Sequence, residues 1–244
     1  MEEVRGALLV ARRELGAFFN TVWGYAVVSA VLLLLGLSFN AFAMGSTPKL
    51  STEVLEQFFY LASGFTMTAA VLLTIRLFAE ERQSGTLVLL DSAPISAGSV
   101  VAGKWLSALA FLVLLLAVSV YMPLLVMVNG KVSFAHILAG YLGLLFLGSA
   151  CVAIGTFASA LTRSQVVAGV IGAVLVVLFV LMWLLAQLTE PPISRVFEYM
   201  SIFDTHFRPF MKGRIETQSL VYYATLTWLF LVATTRLILW RRWR

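Results

Sequence analysis

The sequence predicts an all-α integral membrane protein with six transmembrane helices. Of its 244 residues, 61% are hydrophobic and 12% are charged, and the mean hydropathy is +0.95. Soluble domains carry about 25% charged residues, so this composition excludes the soluble class. Six stretches without Asp, Glu, Lys or Arg are each long enough for the roughly 20 apolar residues that cross a bilayer as a helix. The predicted spans are 23–44, 57–76, 105–128, 136–160, 165–188 and 218–238.

The apolar runs favour helices over barrel strands. Barrel strands alternate apolar and polar residues over about 10 positions, whereas residues 169–185 read GVIGAVLVVLFVLMWLL without alternation. The run 23–44 is predicted to be retained as a helix, because signal-peptide cores have only about 7–15 apolar residues. Small residues in the fourth span predict close helix packing inside the bundle, namely Gly140, Gly143, Gly148 and Gly155.

Charge sets the predicted orientation. Six spans place both termini on one side, and the loop between spans 2 and 3 lies there too. Most Lys and Arg residues fall on that side, so the positive-inside rule predicts that it is cytoplasmic. The net charge of +5 is therefore interpreted as topology, and nucleic acid is not expected as a partner. The predicted interfacial anchors are Arg12, Arg13, Arg241, Arg242 and Lys104, with Lys104 expected to snorkel outward at the inner end of span 3.

Residues 2–20 precede the first span and are predicted to form an amphipathic helix in the cytoplasmic interface. Val4, Leu8, Leu15 and Phe19 recur near helical spacing, with charged residues on the other side. A disordered head is the alternative.

The segment 189–217 is predicted to be an external loop that caps the bundle. It is rich in aromatic residues, unlike a disordered loop, so we expect short helices or a re-entrant hairpin. A structural cap is favoured, with a substrate-contacting role as the alternative. The residues assigned to the cap are His206, Phe207, Phe210 and Gly213.

Residues 76–96 form a charged segment between apolar runs, which we call the charged island. Its residues do not complete a nucleotide-binding or catalytic motif. Residues 98–104 read GSVVAGK, but Trp105 follows where a phosphate loop needs Ser or Thr. The pair Glu80-Glu81 lacks a histidine cluster, because the two histidines are predicted on the opposite side. The sequence therefore predicts a protein that is not an enzyme and binds no metal or cofactor itself.

The island resembles the loop between spans 2 and 3 in permease subunits of ABC exporters, the ABC-2 membrane family. The pattern E-x-x-x-G-T-x-x-x-L-x-x-x-P-[IV]-S, followed by G-K, matches at Glu81, Gly85, Thr86, Leu90, Pro94, Ile95, Ser96, Gly103 and Lys104. The stretches YLGLLFLGSACVAIG, THFRPFMKGRIETQSLVYY and the RRW tail resemble the gliding-motility-associated GldF-like branch.

This resemblance implies a type V ABC exporter fold in which residues 80–96 form a cytoplasmic coupling segment on a separate ATPase subunit. That subunit would bind ATP and Mg²⁺. Gly85 can end a helix, Thr86 can cap the next one, and Pro94 can fix the turn into span 3. The charged residues are available to pair with the partner. The residues assigned to coupling are Glu80, Glu81, Arg82, Gly85, Thr86, Leu89, Leu90 and Pro94.

The implied protein is an exporter permease in a bacterial cytoplasmic (inner) membrane. Because six helices make half of such a transporter, a second membrane subunit is implied, either a second copy or a GldG-like permease. Two alternatives stay open. One is a membrane anchor that passes ATPase-driven force to an extracytoplasmic partner without transport, and the other is a solvated loop at 80–96 that has no partner.

Overall fold

The computed structural model describes residues 2–44, 50–85, 96–130 and 132–242. Within these ranges the chain is helical and contains no β-strand. Six of the described helices are long and apolar enough to cross a membrane. The predicted fold class, an all-α protein with six transmembrane helices, is confirmed.

The long helices overlap the six predicted spans, and five of them begin before the predicted first residue. Helix α1 covers Glu2–Asn20. The first span is α2, Val22–Ser38, continued by a π-helix, Phe39–Met44. The second is α3, Ser51–Thr74, which leads into the short helix α4, Ala79–Ser84. The third consists of α5, Ala97–Ser119, and α6, Tyr121–Asn129.

The second half of the chain contains three spans and two short helices. The fourth span is α7, Phe134–Leu161, and the fifth is α8, Gln165–Leu188. Short helices α9, Ile193–Met200, and α10, Arg208–Met211, follow. The sixth span is α11, Thr217–Arg242. Helix α5 begins before the predicted start at 105, because the Ser96 side chain caps it by accepting a hydrogen bond from the Ser99 backbone N–H at 3.2 Å.

Helix α7 lies at the centre of the bundle. It is the most buried of the six spans, with 67% of its apolar window covered, whereas α8 has only 22% covered. Its glycines let neighbours approach as predicted: Phe59 of α3 lies against Gly140, Phe210 against Gly143, and Leu112 against Gly148. The apolar surface of α8 is left largely uncovered by the described chain.

Helix α1 packs along the first half of α5. The Ser99 hydroxyl donates to the Glu3 carbonyl at 3.0 Å, and the rings of Phe18 and Phe111 stack at 5.1 Å. Since these contacts follow the same order in both helices, α1 and α5 run in the same direction. Gly103 permits the approach, because a Cβ there would lie 2.6 Å from the Ala7 carbonyl oxygen. The predicted amphipathic helix is present, and it is bound to span 3 by Ala7, Val10 and Phe18, which are buried.

We predict that Gly143→Ala destabilises the bundle, because its Cβ would lie 2.6 Å from Cβ of Phe210. The cost of such overpacking is about 1–3 kcal/mol, and it is measured by thermal unfolding in detergent. Gly64→Ala is the matched control, since nothing lies within 4 Å of the new methyl group. Equal melting temperatures for the two variants would contradict this packing.

Candidate functional site

Helix α4 and the turn before it form the described part of the charged island. The turn spans residues 75–78, and α4 ends at Gly85, whose φ of 74° lies in the left-handed region. The prediction that Gly85 ends a helix is therefore confirmed. Thr86, Leu89, Leu90 and Pro94 lie outside the described residues, so their assigned roles stay predictions.

A single hydroxyl of α7 holds the beginning of α4. Ser159 Oγ accepts hydrogen bonds from the backbone N–H groups of Phe78 at 3.0 Å and Ala79 at 3.1 Å. The same hydroxyl donates to the Ile75 carbonyl at 3.1 Å. Phe78, the residue at the N-cap position, provides no side-chain cap. Ser159 thus supplies from another helix the acceptor that a capping residue normally provides.

The end of α3 is fitted against the same region of α7. The hydroxyl of Thr74 bonds back to the carbonyls of Ala70 and Val71, at 2.8 and 2.9 Å. Its side chain fills the space that Gly155 leaves open. The turn between α3 and α4 is therefore fixed to α7 both by packing and by hydrogen bonds.

Four charged side chains from three helices meet beside this turn. We call Arg13 and Glu14 of α1, Glu81 of α4 and Lys104 of α5 the charge tetrad. Lys104 Nζ lies 3.1 Å from Glu14 Oε1 and 2.9 Å from Glu81 Oε1. Arg13 Nη2 lies 2.6 Å from Glu14 Oε1 and 2.9 Å from Glu81 Oε1. Each carboxylate therefore faces both cations, and the tetrad has no net charge.

Lys104 is the buried centre of the tetrad. Its side chain is 0% exposed, and its third hydrogen bond goes to the Leu77 carbonyl at 2.7 Å. The ammonium also lies 5.2 Å from the centroid of the Phe78 ring, within cation–π range. The prediction that Lys104 snorkels outward as an anchor is wrong. Its ammonium is directed inward because two carboxylates and a carbonyl replace the water that it loses.

The carboxylate of Glu14 remains ionised despite its burial. Burial alone would raise the pKa of Glu14, but the charges of Lys104 and Arg13 and their hydrogen bonds lower it below its ordinary value. The hydrogen bond to Glu14 in turn raises the pKa of Arg13, although burial acts against it. Glu14 and Arg13 therefore both remain charged at neutral pH.

Glu80 of α4 also has a partner within the chain. Arg76 contacts it in a two-point ion pair, at 2.7 Å for each bond. The Glu80 side chain is still 44% exposed, so pairing of Glu80, Glu81 and Arg82 with charges on a partner stays a prediction. Gln83, Ser84 and Gly85 are exposed at the end of α4, and Arg82 is half-buried.

The remaining predicted anchors differ in their surroundings. Arg12 is exposed on α1, while Arg13 is 56% exposed and belongs to the tetrad. The side chains of Arg241 and Arg242 lie outside the described part of the structure.

The predicted cap consists of short helices α9 and α10 and the turn between them. This segment packs deep against the spans, since the Ile202 N–H donates to the carbonyl of Phe179 in α8 at 3.2 Å. Phe207 and Phe210 are fully buried. Gly213 has a φ of 73° and packs on His136, which contacts the Met211 carbonyl at 2.7 Å. All four assigned residues, including His206, therefore make contacts within the chain.

His206 organises the cap through a buried imidazole. Its Nε2 lies 2.9 Å from the Tyr199 carbonyl, which can only accept, so Nε2 carries the proton. Nδ1 then accepts from the Ser219 hydroxyl at 3.4 Å, and the ring stacks on Tyr222 at 3.8 Å. Burial lowers the pKa of His206, although the bond to Tyr199 and the charge of Glu216 oppose this. The imidazole is therefore neutral at pH 7.

An apolar groove runs along α3 where it faces α8. Its larger part has a volume of about 660 Å³ and is lined by Trp23, Met67, Val71, Leu72, Val170 and Val177, among others. A second part of about 400 Å³ continues to Tyr60 and Phe203. No charged residue lines either part.

A comparison with known protein families shows which family this chain belongs to. The sequence model described as ABC-2 family transporter protein matches residues 21–235. The chain belongs to the ABC-2 transporter family. It is a multi-pass membrane protein and the permease component of an ABC transporter. Comparison with curated proteins finds no match.

ABC-2 permeases are generally non-catalytic and work in the bilayer with a separate ATPase subunit. In this ABC-2 chain the best-defined polar arrangement near the island is the tetrad with Ser159. The sequence alone pointed to Glu81 and Lys104. It did not show that Arg13 and Glu14 are their partners, nor that Ser159 caps α4. The available signal for Ser159 was a serine one turn after Gly155 in an apolar helix.

We predict that Lys104→Met destabilises the protein by about 3–5 kcal/mol, because it leaves two partly buried carboxylates with only Arg13 to neutralise them. Chemical unfolding in detergent measures the loss. The second substitution Glu81→Gln restores part of it, since Arg13 then matches Glu14. Arg76→Met is the control and costs less than about 1 kcal/mol, because its ion pair is partly exposed. Equal losses of unfolding free energy for Lys104→Met and Arg76→Met would show that the tetrad does not stabilise the fold.

We also predict that acid destabilises the cap. Because the folded pKa of His206 is lowered, the unfolded chain binds more protons below about pH 6.5. Stability is therefore full above that pH and falls as pH drops through it. Melting temperatures between pH 8 and pH 5.5 measure the effect. His206→Gln flattens the dependence, and His136→Gln keeps it. If His206→Gln leaves the pH profile unchanged, the histidine does not control the cap.

Proposed function

We propose that this chain is the permease subunit of an ATP-driven exporter and that residues 80–96 receive the motion of its ATPase. ATP and Mg²⁺ are bound by that partner. The observation that carries the proposal is the way α4 is held. Its first residues are fixed to α7 by Ser159, and Glu81 is fixed to α5 and α1 by the tetrad. Its last residues, Gln83–Gly85, are exposed.

A push on the exposed end of α4 would be transmitted to three helices together. Short hydrogen bonds and buried ion pairs resist separation, so α1, α5 and α7 follow α4 as a body. Two of these helices, α5 and α7, are spans. This arrangement supports a coupling role more directly than a solvated loop does, because a loop without a partner needs no such fixation.

The apolar groove between α3 and α8 favours transport over force transmission alone. A groove that runs along the membrane-crossing part of the bundle offers a path beside the helices, whereas an anchor needs none. The uncovered apolar face of α8 borders this groove and supports a second membrane subunit there. We propose that this subunit is either a second copy or a GldG-like permease.

The proposed setting is the cytoplasmic membrane of a bacterium, with both termini and α4 on the cytoplasmic side. The excess of Lys and Arg on that side supports the orientation. The GldF-like assignment is supported by the sequence segments in the fourth span and in the cap.

Cross-linking tests the coupling segment. Cys151, the one cysteine in the sequence, is fully buried, so an introduced cysteine is the accessible thiol. We expect Gln83→Cys, labelled with a photoreactive maleimide, to form an adduct with the ATPase that copurifies with the protein. Arg195→Cys in α9 lies at the opposite end and should form none. The readout is a band at the summed mass of the two subunits.

Two outcomes would contradict the proposal. One is efficient labelling of Gln83→Cys without an adduct, while Ser164→Cys, in the exposed turn between α7 and α8, does form one. The other is an adduct from Arg195→Cys, which would reverse the orientation.

A further inference from the structure

The face of α1 that points away from α5 carries two exposed arginines, Arg5 and Arg12. On the inner face, Arg13 and Glu14 belong to the neutral tetrad. No ion pair joins either arginine to another side chain that the structure describes. Two exposed cations on a helix that packs against a transmembrane span can bind an anionic ligand from the surroundings.

The two arginines share one face with an exposed apolar stripe. They are seven positions apart, which is about two helical turns or roughly 10 Å. The stripe beside them consists of Val4, Leu8 and Phe19, whose exposed fractions are 65%, 57% and 37%. Leu8 and Arg12 are four positions apart and therefore neighbours on the helix surface.

The part of the chain that the structure describes leaves this stripe uncovered. Helix α1 uses Ala7, Val10 and Phe18 to pack on α5, so the stripe is directed away from the bundle. At its end, Phe19 leads to Val22 and Tyr25 of the first span, which are 84% and 57% exposed. The stripe is thus continuous with the exposed apolar surface of a membrane-crossing helix, where lipid is the expected neighbour.

We propose that the stripe binds an anionic phospholipid. The phosphate of its headgroup lies between Arg5 and Arg12, and one acyl chain lies along Leu8 and Phe19. An acidic peptide would match the charges but not the continuity with the lipid-covered surface of α2. The proposal does not depend on how α4 contacts an ATPase.

The test uses the purified full-length protein in mixed micelles, with phosphatidylglycerol replacing phosphatidylcholine stepwise. The melting temperature should rise with the phosphatidylglycerol fraction to a plateau. A basic residue near an anionic surface contributes about fivefold in affinity, so the double variant Arg5→Gln/Arg12→Gln should need on the order of 25-fold more phosphatidylglycerol. Both side chains are exposed, so these substitutions remove no buried contact.

Two further variants distinguish phosphatidylglycerol binding at this site from a general effect of the protein's positive charge. Arg163→Gln/Arg236→Gln removes two exposed arginines elsewhere and should keep the wild-type midpoint. Leu8→Asn should weaken the effect of phosphatidylglycerol while leaving the arginines in place.

Soluble anions identify the source of the phosphate. Glycerol phosphate and inorganic phosphate at matched concentrations should not reproduce the stabilisation, because they lack an acyl chain. The proposal is wrong if they do, or if both double variants lose the effect equally. It is also wrong if phosphatidylglycerol has no effect, which is the result expected when a second copy or an acidic protein segment covers the stripe.

Discussion

The buried ammonium of Lys104 is the constraint on which the packing of α1, α4 and α5 depends. A lysine removed from water must find acceptors for its donors, and Lys104 finds them on two other helices and on the turn that precedes α4. Buried ion pairs contribute little net stability over apolar packing, but losing one partner is costly. The tetrad therefore acts mainly by penalising any arrangement in which α1, α4 or α5 is out of place.

Ser159 adds a direct connection from this assembly to the centre of the bundle. Helix α7 has the largest buried fraction of the six spans, and its small residues give access to Thr74 and to the turn before α4. A hydroxyl that both accepts and donates can hold the end of α3 and the start of α4 at once. In the proposed coupling role, motion that enters at α4 would meet the most enclosed span of this bundle without a flexible link between them.

The sequence was sufficient for the fold because membrane spans are specified locally. Each span is a continuous apolar run, so its existence follows from neighbouring residues alone. Gly85 was predictable for the same reason, since left-handed backbone favours glycine. Lys104 was misjudged because its partners are distant in sequence, with Glu14 90 positions away. The sequence did not reveal the roles of Ser159 and His206 either, because a hydrogen bond between distant segments leaves no periodic pattern in the sequence.

The order of the tetrad along the chain has a consequence for biogenesis. Arg13 and Glu14 are synthesised first, Glu81 follows after the second span, and Lys104 comes only with the third. Until Lys104 emerges, Glu14 has Arg13 as its one cationic partner in the tetrad, and α1 lacks the helix on which it packs. Docking of α1 therefore requires that both of the first two spans have crossed the bilayer. If only one of them crossed, Arg13 and Glu14 would lie on the opposite side from Glu81 and Lys104.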